Sequence, residues 1–357
     1  MKKMYLCTQM ATLHIFNPEH DIALAANLAN FTAPRAGRQL RHDLGFLPAL
    51  WAKPDDYVLV DDVERAACSF RNVKESCWPG LCEPHWTDCR HLQGCRVERI
   101  EPWGWDAALV HQLRHWGVEG HLLPSGTYVD MIRRLSHRRT AMHLLASLQG
   151  DRRVGEAAEC FTMDEVAACQ NRWHDIVLKA PWSSSGRGVR FVSEPSDSVS
   201  KWITGVIGAQ GSVMAEPRYE NVYDLGMEFE ATGDGRISYC GLSLFDTSKG
   251  AYTGNILTNE NKKKELIKRY ISEDLLSKIK EDICHTLDVE EYVGPLGVDM
   301  MIVHKDGLYL LHPCVEINLR RTMGHVALSL PAPTDGESRA MRILYDGNNY
   351  QFNICKL

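Results

Sequence analysis

A chain of 357 residues, 44% hydrophobic and 24% charged, is long enough to bury a sizeable core and to hold two or three subdomains. Its formal net charge of −6 carries no polyelectrolyte signal, so bulk electrostatics predict neither a nucleic-acid nor a membrane partner. No run approaches the roughly 20 apolar residues of a membrane-spanning helix. The two N-terminal lysines lead into a stretch interrupted by Thr8, Gln9, Thr12 and His14, which reads as a first strand rather than a signal peptide.

Residues 12–16 read as a short buried strand. It runs through Asn17, Pro18, Glu19, His20 and Asp21 into an Ala/Leu-rich helix. The loop at the end of such a strand is where open α/β sheets carry ligand contacts, although Asn17 and Asp21 read equally well as helix caps. Arg35, Arg38 and Arg41 recur at spacing three. On a helix they share one face, either solvated or turned to an anionic substrate. Residues 57–60 read as a second strand. Between Glu64 and Arg96 the periodicity is weak and loop chemistry dominates. Cys68, Cys77, Cys82, Cys89 and Cys95, with His85 and His91 among them, form no CxxC pair. They read as free thiols of a reducing, cytoplasmic compartment rather than as a zinc site. A helix is predicted to open at Glu101 and Pro102 and to run to His115. The alternation of strands and helices predicts a small parallel α/β sheet.

Residues 125–148 read as an amphipathic helix pair carrying Arg133, Arg134, Arg138 and Arg139, with Ile132, Leu135, Met142 and Leu145 turned inward. A strand over 175–180 then ends at Lys179. It is followed by Pro181, Trp182, Ser183, Ser184, Ser185, Gly186, Arg187 and Gly188, and by a second strand over 189–192. Small residues let backbone N–H groups approach a phosphate, the serines add hydroxyls, and Lys179 adds a point charge. A strand follows the loop instead of a helix, so this is a hairpin lid and not a Walker A loop. The short strand at 213–216, ending in Glu216 and Pro217, has an edge suited to a purine. Asp224 opens a longer strand and is placed to accept from ribose hydroxyls. In the polar stretch from Lys249 to Tyr270, the loop at 249–255 is a candidate to close over substrate, and 262–264 read as a solvated helix end. Ser272 reads as the cap of a helix over 272–287.

The strongest stretch is 297–324. Residues 298–303 and 308–319 form a β-hairpin around the turn signal Asp306-Gly307. Glu316, Asn318 and Arg320 alternate with Val315, Ile317 and Leu319, so the polar side chains share one face. A two-residue loop sets Asp299 opposite Cys314 and diagonal to Glu316. Pro313 signals a bulge that disturbs that register. Two carboxylates and an amide oxygen beside an arginine make an oxygen-ligand site for Mg²⁺ with a phosphate handle; the plainer alternative is a solvated strand face. The tail holds two strand-like runs, 340–345 and 350–354, around Asp346 and Gly347.

Lys179 with the loop from Ser183 to Gly188, Glu216 and Pro217, Asp224, Asp299, and Glu316 with Asn318 stand in an order that resembles the ATP-grasp superfamily. The likeness spans roughly Ser125 to Leu330 and is most specific in LKAPWSSSGRGV and CVEINLRRTMG. It implies an α/β chain in which a small parallel α/β domain (1–120) precedes a two-lobed ATP-grasp domain with antiparallel sheets (121–335). The lobes would be about 137–217 and 218–335, with C-terminal strands at 336–357 packing on the core.

By the resemblance, Lys179 binds ATP phosphates under a lid formed by Ser183, Ser184, Ser185, Gly186, Arg187 and Gly188. Arg138 stands about where the family has a second phosphate-binding lysine. Glu216 and Pro217 lie against adenine and Asp224 holds ribose. Asp299, Glu316 and Asn318 bind Mg²⁺, or Mn²⁺ in its place, and Arg320 faces the transferred phosphoryl group. The implied reaction activates a small-molecule carboxylate as an acyl phosphate for attack by an amine or similar nucleophile. A small-molecule kinase and a non-catalytic nucleotide-binding module are the alternatives.

Overall fold

The computed structural model describes residues 11–183, 188–248, 251–333 and 336–357. Its first sheet holds β1 (Thr12–Ile15), β2 (Tyr57–Leu59), β3 (His85–Thr87) and β4 (Arg99–Pro102) in the order β3-β2-β1-β4. All its pairings are parallel. Parallel strands need crossover connections, and helices α1 (His20–Ala26), α2 (Arg35–Leu44), α3 (Val63–Cys77) and α4 (Ala107–His115) lie between and after the strands.

Two expectations for this region are corrected. The weak stretch after Glu64 contains α3, a 15-residue helix capped by Asp62, which accepts from the Arg65 N–H. Its inward face buries Ala66 and Phe70, too few apolar positions to show as a periodic stripe. Glu101 and Pro102 end a strand, and the following helix starts at Ala107. There Asp106 accepts from the Leu109 N–H at 2.9 Å. On α2, Arg41 is paired with Glu19 at 2.9 Å, whereas Arg35 and Arg38 are exposed.

The expected helix pair is present as α5 (Gly126–Leu135) and α6 (Arg138–Ser147). A second, antiparallel sheet follows, with β5 (Ala158–Cys160), β6 (Ile176–Lys179), β7 (Val189–Val192) and β8 (Val213–Pro217) in the order β5-β8-β6-β7. Helices α7 (Met163–Trp173) and α8 (Asp197–Gln210) pack with it. A capping box joins Thr162 and Glu165 at the start of α7.

The third sheet is antiparallel, with β9 (Glu220–Thr232), β10 (Ile237–Ser248), β11 (Ala251–Leu257), β12 (Val293–Lys305), β13 (Leu308–Asn318), β14 (Arg339–Tyr345) and β15 (Tyr350–Lys356). Their order is β13-β12-β9-β10-β11-β14-β15. The tail strands therefore extend this sheet through β11. Of the loop expected at 249–255, Lys249 and Gly250 lie outside the described residues and the remainder belongs to β11, which the helix α9 (Glu260–Ile267) follows. Lys263, expected in a solvated helix end, is buried and donates from Nζ to the Leu242 carbonyl at 2.7 Å. Ser272 caps α10 (Glu273–Thr286) as expected. On one face of the sheet, Leu225, Met300, Ile302, Leu311 and Ile317 share a core with Leu144 and Leu145 of α6 and Ile279 and Ile283 of α10. Each such side chain contributes about 1.5–3 kcal/mol by leaving water. This packing fixes which strand positions are left for the opposite face.

The β12–β13 turn matches the sequence. Asp306 and Gly307 have φ of 52° and 77°, as a two-residue hairpin turn with both residues left-handed requires. The register beyond it does not. Lys305 pairs Leu308 and Met301 pairs His312, but Asp299 pairs Glu316 instead of Cys314. Residues 313–315 of β13 oppose Met300 alone, and this is the bulge that Pro313 signalled.

Candidate functional site

The bulge aligns three rows across β9, β12 and β13 on one face of the sheet. Asp224, Met301 and His312 form the first row. Gly226, Asp299 and Glu316 form the second, and Glu228, Gly297 and Asn318 the third. Directly opposed residues on antiparallel strands share a face, so the two carboxylates of the second row stand side by side. Asn318 donates from Nδ2 to Asp299 at 2.9 Å.

Three cations surround these rows. Arg138 begins α6 and is 8% exposed. It holds Glu316 at 2.8 Å, the Ala180 carbonyl at 3.1 Å and Ser183 Oγ at 3.3 Å. Lys179, the last residue of β6, forms a buried 2.5 Å pair with Glu216 on the neighbouring strand β8. Arg320 leaves the end of β13 and meets Asp21 through two guanidinium nitrogens, Nε to Oδ1 at 3.0 Å and Nη2 to Oδ2 at 2.8 Å. Its Nη1 donates to the Arg321 carbonyl at 3.1 Å. The loop after β1 is thereby brought against the hairpin. Asn17 instead braces that loop, donating to the Gly104 carbonyl at 2.8 Å.

The electrostatics follow from the crowding of carboxylates. Burial, then Glu316, then Glu228 push Asp299 up to about 8. The Arg320 guanidinium overcomes the burial of Asp21 and holds it below the usual carboxylate range. Burial raises Asp224 although Thr247 at 2.7 Å and Asn221 at 2.9 Å both donate to it.

Asp299, Glu316 and the Asn318 side-chain oxygen fit a hard divalent cation, which would relieve the charge crowding that keeps Asp299 protonated. Among the described residues no three or more His, Cys, Asp or Glu side chains group to hold a metal by themselves. A set of two carboxylates and an amide suits Mg²⁺, which keeps waters and takes oxygens from a bound phosphate.

The structure puts Asp224, Asp299, Glu316 and Asn318 on one sheet face, joins Arg138 to Glu316 and Ser183, and pairs Lys179 with Glu216 and Arg320 with Asp21; Asp21, Ser183, Glu316 and Asn318 line one pocket. Ser184, Ser185, Gly186 and Arg187 lie outside the described residues. A Cβ at Gly188 would lie 2.3 Å from Ser183 Cβ. Pro217 ends β8 opposite Ile176, and the Glu216 carboxylate is spent on Lys179.

Sequence reasoning missed Glu228, Thr322, His325 and His312. Glu228 is 2% exposed and accepts from Thr322 Oγ1 at 2.8 Å, with His325 Nδ1 at 3.0 Å. His325 Nε2 reaches the Phe229 carbonyl at 3.1 Å. The alternation Asp224, Gly226, Glu228 along β9 was the signal available.

No family model matches the sequence, and no curated protein matches it either. Solved structures do match. N5-carboxyaminoimidazole synthetase from Staphylococcus aureus, complexed with ADP, is 13% identical with a TM-score of 0.53, over 94% of this chain and 82% of that one. A biotin carboxylase–ATP complex from Campylobacter jejuni is 12% identical with a TM-score of 0.52, over 94% and 76%. An ATP-grasp superfamily protein from Archaeoglobus fulgidus is 14% identical with a TM-score of 0.50, over 97% and 99%. The parallel sheet and the two antiparallel sheets of this chain together make the fold that these solved structures share.

Proposed function

We propose that the protein is an ATP-dependent ligase that activates a small-molecule carboxylate as an acyl phosphate for attack by an amine or similar nucleophile. The observation that carries this reading is the second row. Asp299 faces Glu316 across two strands, Asn318 bonds to Asp299, Arg138 pairs with Glu316, and Arg320 is near enough to feel the charge of both carboxylates. In the neighbours from S. aureus and C. jejuni the same fold holds ADP or ATP. The division of labour follows the expected domains, with residues 1–120 bounding the acceptor side, 121–335 holding nucleotide and 336–357 bracing the sheet.

Phosphoryl transfer depends on charge neutralisation and in-line positioning more than on a protein nucleophile. Mg²⁺ bound by Asp299, Glu316 and Asn318 would supply Lewis-acid neutralisation of the phosphates. Glu316 would exchange Arg138 for the metal, freeing the guanidinium for a phosphate. Lys179 would bind phosphate as a point charge, and Arg320, held by Asp21, would face the transferred group.

The test is ADP formation from ATP in pooled carboxylates and amines. Turnover that requires both pools and is lost in Glu316→Ala and Lys179→Ala supports the ligase. Turnover that survives both substitutions sinks it, and a phosphorylated product formed without any amine replaces it with a kinase.

A further inference from the structure

One step beyond the row of Glu228, Gly297 and Asn318, the same sheet face carries Glu230 opposite Pro295. There the chain leaves β13 through Arg320 and Arg321. The backbone anchors Arg321: its N–H donates to the Trp103 carbonyl at 2.8 Å, and its carbonyl accepts from Arg320 at 3.1 Å. Its guanidinium lies over the Trp51 indole, 4.5 Å from the ring centroid. Among the described residues this half-buried guanidinium makes no hydrogen bond and no ion pair. Burial pulls it down, against Glu101 and Glu230. Glu101 is already spent on Arg99 at 2.6 Å, with His14 Nδ1 at 3.5 Å. The Glu230 carboxylate, like Arg321, makes no hydrogen bond or ion pair among the described residues. It keeps access to solvent, yet enough chain surrounds it to push it above the ordinary carboxylate value, against the pull of Arg321.

Arg321 and Glu230 thus carry opposite charges that act on one another without touching. Charges partly withdrawn from water and left unmatched are unfavourable, and a ligand that fills the gap relieves both. The guanidinium presents a flat fork of donors that fits a carboxylate, and a free carboxylate fits an ammonium. A plain carboxylate brought to Arg321 would meet the charge of Glu101 and Glu230, and a plain amine brought to Glu230 would meet that of Arg321. A molecule with both groups meets neither penalty. We infer that the space between Arg321 and Glu230 holds the head of an α-amino acid, its carboxylate on Arg321 and its ammonium towards Glu230, and that this amino acid is the amine substrate. This rests on the ligase reading, in which the neighbouring Arg320 faces the transferred group. The amino nitrogen then bonds to the acyl carbon, and the C–O bond to phosphate breaks with its electron pair. Of the two protons the nitrogen sheds, one goes to the leaving phosphate and one to solvent.

The experiment uses the full chain with Mg-ATP and pooled carboxylates, adding the common α-amino acids one at a time and, in parallel, their carboxamides and simple alkylamines. Wild type is expected to form ADP with particular amino acids, and with the matching carboxamides at a kcat/KM lower by at least ~10-fold. Arg321→Gln is expected to raise KM for the amino acid by at least ~10-fold while KM for ATP stays unchanged. Arg321→Lys, which keeps the charge and loses the fork, is expected to raise it less. Glu230→Gln is expected to raise the same KM and to leave that for ATP alone. If Arg321→Gln does not fold, Arg321→Lys and Glu230→Gln make the comparison. Carboxamides or alkylamines used as well as amino acids overturn the assignment. So does a wild-type amino-acid KM in folded Arg321→Gln, or in both other variants where that one does not fold. Absence of ADP formation with every amine, with or without a carboxylate, overturns instead the ligase reading beneath it.

Discussion

Asp299 stands directly opposite Glu316 across β12 and β13, and burial together with that second carboxylate pushes Asp299 up to about 8. An acid raised in this way keeps its proton in the folded chain after the unfolded chain has lost it near pH ~4. Between about pH 4 and 8 the unfolded state holds fewer protons, so the Asp299 contribution to stability falls as pH rises and levels off above the folded value. Asp299→Asn removes this term. Its melting temperature without metal should exceed that of wild type most at pH 8 and converge with it near pH 4. Parallel melting curves for the two proteins across that range would contradict the assignment.

Asp21 supports Arg320 from another part of the chain. Two bonds fix one edge of the guanidinium, leaving further donors for a ligand. Asp21→Asn keeps the shape but weakens both bonds. If Arg320 faces the transferred group, as proposed above, kcat should fall about 10–100-fold with little change in KM for ATP. A change confined to KM would assign Arg320 to ground-state binding instead.

Much of this site was legible because strand alternation is local. Glu316, Asn318 and Asp299 were found from their period of two and a turn signal. The pairing of Asp299 with Glu316 was not, because a bulge changes register without changing alternation on either side of it, and Pro313 marks a bulge without giving its size. Asp21 was seen as a loop residue, but its partner Arg320 lies 299 positions away, beyond the reach of any local pattern. Helix α3 was missed for a different reason: with Ala66 and Phe70 as its buried residues, it presents almost no apolar stripe. Lys263 was misjudged because three consecutive lysines read as solvated, whereas the second turns inward to a strand carbonyl.

Lys179 and Glu216 form a buried pair at 2.5 Å. Breaking such a pair from one side leaves an uncompensated charge, which costs about 3–5 kcal/mol, while removing both members together costs far less. Glu216→Ala should therefore lose about 3 kcal/mol in urea denaturation. The double variant Lys179→Met with Glu216→Leu should recover most of that loss while binding no Mg-ATP. Equal stabilities for the single and double variants would show that the pair carries no net electrostatic weight.

Gly324 and Glu228 are locked by space. A Cβ at Gly324 would lie 1.8 Å from Glu228 Oε1, and one at Gly297 would lie 2.7 Å from Oε2. The carboxylate cannot swing aside cheaply, since Thr322 and His325 hold it from the start of α11 (Met323–Ser329). Overpacking of this kind typically costs about 1–3 kcal/mol, and here it would also displace the third row beside Asn318. Gly324→Ala should therefore be destabilised by about that amount and lose turnover. Glu228→Ala removes the obstructing oxygens but strips the Thr322 hydroxyl of its acceptor, so it is destabilising for a separate reason. Because the two substitutions act on one contact, their effects should not add: the double variant should be less destabilised than the sum of the singles by at least ~1 kcal/mol. Denaturant midpoints for the four proteins measure this coupling, and strict additivity would mean that the carboxylate moves freely out of the way.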